Sequence, residues 1–163
     1  GHSTNAGTLR ENEQANIELV KQCYDAFLKG DSGKLLSHMA QHIVWDLPEV
    51  PGIGFSGKRQ GRDNVAKFFE EVAQAQEVRT FEPREFFANG DKVVVLGHYD
   101  WTIVKSGVPF SSDWVHIFTV RNGSVVEFRE MLDTYEAMEC YRQSDPAART
   151  SSASAGTARP LHH

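Results

Sequence analysis

KVVVLGHYDWTIVKSGVPFSSDWVHIFTVRNGSVVEFREML, residues 92–132, decides the fold class. Three apolar-rich stretches alternate at a period of two: Lys92 to Lys105, Phe110 to Arg121 and Ser124 to Leu132. Ser106-Gly107 and Asn122-Gly123 divide them, and such pairs favour hairpin turns. In the first stretch Val93, Val95, Tyr99, Trp101 and Ile103 share one face, and Val94, Leu96 and Val104 share the other. A sheet that is apolar on both faces must be covered on both.

Upstream, Asn89-Gly90 is another hairpin turn, preceded by a strand over Val78 to Ala88 that Pro83 should make irregular, since proline cannot donate to a ladder. Before Gln76 the period is helical. Ile17, Val20, Tyr24, Phe27 and Leu28 define a first helix over Glu11 to Lys29, ended by Gly30. Asp31-Ser32 caps a short second helix carrying Leu35, Leu36 and Met39. HIVWDL, His42 to Leu47, reads as a strand, and Pro48, Pro51, Gly52, Gly54 and Gly57 break regular structure after it. Asp63 or Asn64 caps a third helix with Val65, Phe68, Phe69 and Val72 on one stripe. A closing helix over Thr134 to Arg142 follows the last strand. Three helices beside one curved, mostly antiparallel sheet form an α+β layer architecture. Helices cover one face; the outer face then calls for a second copy, so a homodimer through that face is expected.

The chain has 163 residues, 40% of them hydrophobic and 24% charged, which suits one globular domain. The formal charge of -5 offers no basic footprint for nucleic acid. No apolar run reaches the ~18–20 residues of a membrane span, and no signal peptide is visible, so a cytoplasmic setting is expected. Cys23 and Cys140 lie far apart without metal-type spacing. Gly1-His2 resembles an expression-tag scar, and residues 1–8 are expected to be flexible. Residues 143–163, rich in Ala and Ser with Leu161 their one large apolar side chain, are expected to be a low-complexity tail. The domain is then residues 9–142.

Several polar groups sit where a pure core would avoid them: His98 and Asp100, His116, Asp46 and Asp133. His98 and Asp100 are two apart and share a face with Val94, Leu96 and Thr102. An imidazole and a carboxylate among apolar residues need partners and can be poised for proton transfer. Plainer readings stand beside each. His-x-Asp can be a satisfied structural pair, Asp133 a helix cap, His116 a core histidine, Tyr24 a core residue, and the three tryptophans packing. His98, Asp100 and His116 could form a two-His, one-carboxylate metal set, but nothing local fixes that geometry. No phosphate-binding loop or Ser-His-Asp order is present, and no cofactor is called for.

CYDAFLKGD (Cys23 to Asp31), HIVWDLP, GRDNVAKFF (Gly61 to Phe69) and DWVHIFTVRNGSVVEFREMLDT (Asp113 to Thr134) together resemble the SnoaL-like, ketosteroid-isomerase-like branch of the nuclear-transport-factor-two superfamily. The resemblance implies a cone-shaped, cystatin-like α+β barrel: a curved mixed sheet wrapped around the N-terminal helices, an apolar pocket at one end, and often a homodimer packed sheet to sheet. It is specific for fold and broad for function, since this fold hosts isomerases, cyclases, hydrolases and non-catalytic modules.

Residue by residue, the ketosteroid isomerase tyrosine falls on Cys23, beside Tyr24; its basic aspartate falls on Leu47, beside Asp46; its second acid falls near His116. The limonene-epoxide-hydrolase pattern retains two of five positions. Asp100 and Asp133 match its aspartates, whereas His98 stands for its arginine, Asp46 for its asparagine and Val44 for its tyrosine. That register would place His98, Asp100 and Thr102 in the pocket with Ser112, Trp114 and His116. A two-residue turn at Ser106-Gly107 would instead pair Gly97 with His116 and put His116 and Asp100 on opposite faces, because a one-residue slip flips every side chain. The epoxide-hydrolase register is the one expected.

The leading expectation is a cofactor-independent acid–base enzyme acting on a small hydrophobic, polyketide- or terpenoid-like substrate. Asp100 would be the general base, His98 or His116 the proton donor, and Asp133 and Asp46 the groups that bind water or a hydroxyl. Tyr24, Val44, Phe69, Thr102, Trp114, Phe118 and Tyr135 would contact substrate. The alternatives are a dimeric ligand-binding module, whose pocket would have all its polar groups paired with one another, and an interaction domain with an uncovered apolar face.

Overall fold

The computed structural model describes residues 2–146; residues 147–163, most of the expected tail, lie outside the described residues. In chain order the elements are α1 (His2–Leu28), α2 (Ser32–Ser37), β1 (Met39–Asp46), β2 (Lys58–Gln60), α3 (Arg62–Ala75), β3 (Gln76–Asn89), β4 (Lys92–Ile103), β5 (Pro109–Arg121), β6 (Ser124–Leu132) and α4 (Thr134–Ser144). Six strands form one curved, unclosed mixed sheet in the order β2-β1-β6-β5-β4-β3. Only β1 and β6 run parallel among the paired strands.

Local chemistry explains most boundaries. At Gly30 the chain turns left-handed (φ 72°), and the amide of Asp31 reaches back to the Ala26 carbonyl, closing α1. The Asp31 carboxylate caps α2 by accepting from the Lys34 amide at 3.0 Å. Met39 was expected on that helix but opens β1. The His38 amide closes α2 on Leu35, and the His38 carbonyl accepts from Val125, which draws Met39 alongside β6. Helix α3 is not capped by Asp63 or Asn64. Its N-cap is Gly61, at φ 93°, and the Asn64 side chain turns back to the Gln60 carbonyl. Helix α1 begins at His2 rather than Glu11, and β2 is an additional short edge strand. Pro83 interrupts β3 as expected, with a register shift between Pro83 and Glu85.

The register between β4 and β5 positions everything else. Gly97 pairs with Trp114 and Tyr99 with Ser112. A loop over residues 104–107, closed by the Gly107 amide on the Ile103 carbonyl, sets this register. The expected epoxide-hydrolase register is therefore incorrect. His116 lies on the concave face with Val95, Gly97 and Tyr99, while His98, Asp100 and Thr102 alternate to the outer face.

Helices α1 and α3 fill the concave side. Val20, Tyr24, Val65, Phe68 and Val72 pack there against Val93, Val95, Tyr99, Trp101 and Phe118. The outer face carries half-buried Val94, Leu96, Val115 and Ile117, flanked by exposed Phe87 and Met131. Among the described residues no helix is long and apolar enough to cross a membrane.

Candidate active site

Between the concave face and the helices lies a cavity of about 130 Å³. Aromatic rings make much of its wall: Phe27, Trp45, Phe68, Phe69, Phe81, Trp101, Phe110, Phe118 and Phe128. The loop after β1 closes another part with Leu47, Pro48, Val50, Ile53 and Phe55. Ser56 holds that loop together, bonding the Val50 amide at 2.9 Å and the Ile53 carbonyl at 2.7 Å.

Polar side chains interrupt this wall: Tyr24, Tyr99, His116 and Glu130, with Gln76 and Ser56 elsewhere in the lining. The Tyr24 hydroxyl lies 2.7 Å from His116 Nδ1, and His116 Nε2 lies 2.7 Å from Glu130 Oε2. A carboxylate only accepts, so Nε2–H donates to Glu130 and Nδ1 accepts from the Tyr24 hydroxyl. Hydroxyl, imidazole and carboxylate thus stand in a relay. Each member comes from a different element: Tyr24 from α1, His116 from β5, and Glu130 from β6, where it is the cross-strand partner of His116.

Packing fixes the imidazole. The Trp114 ring lies on it at 3.8 Å and 17° from parallel, and Phe128 meets it edge-on at 4.7 Å. Burial pushes the His116 pKa below its ordinary value, although Glu130 pulls the other way. Burial pushes Tyr24 well above the ordinary phenol value, with the Glu130 charge adding to it. Tyr99 is raised likewise, by burial first and then by the nearby Glu130 carboxylate. The resting relay is therefore a protonated phenol facing a neutral imidazole. Cys23, also in the wall, has its thiol pushed up to about 12 by burial and behaves as a small apolar group.

Of the residues expected at the site, Tyr24, His116, Phe69 and Phe118 line the cavity. Trp114 stands behind His116 rather than in the wall. The others lie elsewhere. His98, on the outer face, bridges Asp113 at 2.9 Å and Asp100 at 3.3 Å. Its pKa is raised, chiefly by Asp113, and that of Asp100 is lowered, chiefly by Ser111. Thr102 accepts from Arg79 at 3.0 Å. Val44 and Asp46 alternate to the face opposite Trp45, where Asp46 pairs with Arg129 at 3.6 Å. Asp133 is the N-cap of α4, accepting from the Glu136 amide at 3.0 Å, and Tyr135 is 57% exposed. Asp100 is thus not the cavity base, and His98, Asp100 and His116 do not converge on a metal. Among the described residues no group of three or more His, Cys, Asp or Glu is placed to hold a metal ion.

Glu130 and Tyr99 were not anticipated. Glu130 had a readable signal, because it alternates with Phe128 and Leu132 on the apolar face of the last strand.

A family model described as "SnoaL-like domain" matches residues 20–128. Among solved structures, the chain is similar to an NTF2-like protein from Burkholderia xenovorans LB400, with 31% identity, TM-score 0.72, and coverage of 79% of this chain and 97% of that one. An NTF2-like protein of unknown function from Burkholderia pseudomallei K96243 gives 30% identity, TM-score 0.71, and coverage of 78% and 97%. TerC, co-crystallised with polyporic acid, gives 30% identity, TM-score 0.70, and coverage of 78% and 98%. A search of curated proteins gives no match.

Proposed function

The chain belongs to the SnoaL-like domain family, and on that premise we propose that it is an acid–base enzyme of isomerase or cyclase type, acting without a cofactor on a small, largely aromatic substrate that bears a carbonyl. The observation that carries this reading is the pair of 2.7 Å contacts joining Tyr24, His116 and Glu130 in a largely apolar cavity. Such a relay works as hydroxyl–imidazole–carboxylate triads do. A substrate C–H proton passes to the Tyr24 oxygen as the phenol proton moves to His116 Nδ1. The imidazolium so formed is held by Glu130, and the enolate either takes the proton back at another carbon or adds to a second carbonyl carbon of the same substrate, whose alkoxide oxygen then takes the proton. One positioned acid–base group contributes roughly 10²–10⁴ in rate.

Hydrolysis of epoxides is the weaker fit, because Val44, Asp46, Asp100 and Asp133 stand outside the cavity wall. That TerC was crystallised with polyporic acid supports a flat, oxygen-bearing aromatic ligand here. A second reading, a binding module without chemistry, is favoured by one observation: Tyr24, His116 and Glu130 are paired with one another. Two measurements separate the readings. A thermal-shift screen of polyporic acid, aromatic polyketides, steroids and epoxides identifies ligands, since a ligand of the folded state raises Tm. Deuterium uptake from D₂O at the α-carbon of bound 2-tetralone, an enolisable aromatic ketone, then reports proton transfer. Binding without uptake above background supports the module instead.

The outer sheet face, with Val94, Leu96, Val115 and Ile117 at its centre, is proposed to pack against a second copy of the chain.

A further inference from the structure

The relay occupies one end of the cavity, and another polar side chain stands toward the other. His116 pairs with Val95 and Gln76 with Ile103, eight positions apart along β4. Extended strand rises about 3.3 Å per residue, so up to roughly 26 Å of ladder separates the two. Gln76 opens β3 directly after α3, and its pairing with Ile103 puts it on the concave face. It lines the cavity and is 9% exposed, and among the described residues no hydrogen bond ties down its side chain.

A second observation marks the same end. The Tyr141 hydroxyl is buried and has no hydrogen-bond partner. Tyr141 follows Ala137 of the cavity wall by one turn of α4, and its ring meets Phe55 of the wall edge-on at 6.2 Å. Helix α4 is pinned next to Ile103, the strand partner of Gln76. Cys140 Sγ reaches the Pro109 carbonyl at 3.4 Å, and Ser144 meets Ser106, in the loop after Ile103, at 2.6 Å. Burial pushes the Tyr141 phenol up to about 12, while the neighbouring Gln76 amide acts the other way. Buried polar groups in folded chains are nearly all paired, so two unpaired ones against one end of a cavity mark a place for a ligand oxygen. We propose that the Gln76 amide, backed by Tyr141, anchors a second oxygen of the ligand, a phenolic hydroxyl remote from the carbonyl that faces Tyr24. An amide offers N–H donors and a carbonyl acceptor, so it satisfies a hydroxyl in both directions. A hydrocarbon in the same place would leave it unpaired, which weakens binding. The inference rests on the reading of the cavity as the site of a flat aromatic ligand, and not on proton transfer there.

Two probes of one shape test it by calorimetry on the full chain: 2-tetralone, and 6-hydroxy-2-tetralone, which adds a phenol at the end of the bicycle opposite the ketone. The wild-type chain is expected to bind the hydroxylated probe about tenfold more tightly, the scale of one hydrogen bond to a group otherwise left unpaired. Gln76→Met keeps the length of the side chain and removes the amide, and with it the preference is expected to vanish. A wild-type chain that shows no preference, or that binds neither probe, overturns the proposal, as does a preference that survives Gln76→Met. If Gln76→Met does not fold, Gln76→Leu is read by the same criteria. Deuterium uptake tells the two readings apart. A preference lost in Gln76→Met with no uptake in wild type supports the anchor and removes the acid–base reading; uptake without any preference does the reverse.

Discussion

His116 and Glu130 face each other directly across β5 and β6, joined Nε2 to Oε2 at 2.7 Å. Their geometry is therefore set by a backbone ladder, not by a loop. Trp114 and Phe128 clamp the imidazole from two sides, and the Tyr24 hydroxyl arrives from α1 at its other nitrogen. A ring so held loses little freedom when it accepts a proton, which is what pre-organisation contributes to acid–base chemistry.

Gly97 makes that clamp possible. A Cβ there would overlap the Trp114 indole, so only glycine lets the ring lie across β4 and reach His116. Gly97→Ala is expected to cost about 1–3 kcal/mol in urea unfolding, the scale of overpacking. It should also shift the near-ultraviolet tryptophan signal as the indole leaves the imidazole.

Stability should depend on pH through two histidines of opposite sign. In the unfolded chain both titrate near 6.5. Buried His116 has the lower folded value, so the unfolded chain binds more protons as pH falls below 6.5, and this contribution to stability is lost toward acid. His98 has the raised folded value, so its contribution is present below 6.5 and lost as pH rises through the folded value. Urea midpoints should then show His98→Gln weaker than wild type at about pH 5.5 and equal to it at about pH 8.5. The reverse order would remove the His98 bridge from the account of stability.

Much of this architecture is legible in the sequence, because long alternating stretches and Asn-Gly turns fix strand existence and order. The α+β class, the apolar residues on both faces of β4, and the caps at Asp31 and Asp133 follow from local chemistry. Faces across a hairpin do not. They depend on whether the loop after Ile103 holds an odd or even number of residues, and Gly107 can serve either case. Thus His98 and Asp100, conspicuous as a pair, were assigned to the cavity. Glu130 is plain in composition, and only its alternation with Phe128 and Leu132 marks it. Tyr99 is hidden because it alternates with Trp101 and Ile103 as one more apolar-face residue of β4.

The polar residues outside the cavity wall should leave it untouched. Asp133→Ala is expected to lose about 1 kcal/mol as a helix cap, without changing ligand-induced Tm shifts. Asp100→Asn should likewise leave deuterium uptake at its wild-type rate. A large loss would return Asp100 to the chemistry.

Self-association through the outer face is expected at micromolar concentration by sedimentation velocity. Leu96→Glu, placing a charge amid Val94, Val115 and Ile117, should shift the chain to monomer while cavity ligands still bind. A wild-type chain that sediments as a monomer would refute the second copy.

Deuterium uptake at the α-carbon of bound 2-tetralone, compared between wild type and Glu130→Gln, tests the relay most directly. The amide can still accept from Nε2–H and keep the ring in place, but it carries no charge to hold an imidazolium. Wild type should exchange above background, and Glu130→Gln should bind 2-tetralone with a similar Tm shift yet exchange roughly 10²–10⁴-fold more slowly, the scale of one acid–base group. Equal exchange rates in the two proteins would contradict a Tyr24–His116–Glu130 proton relay.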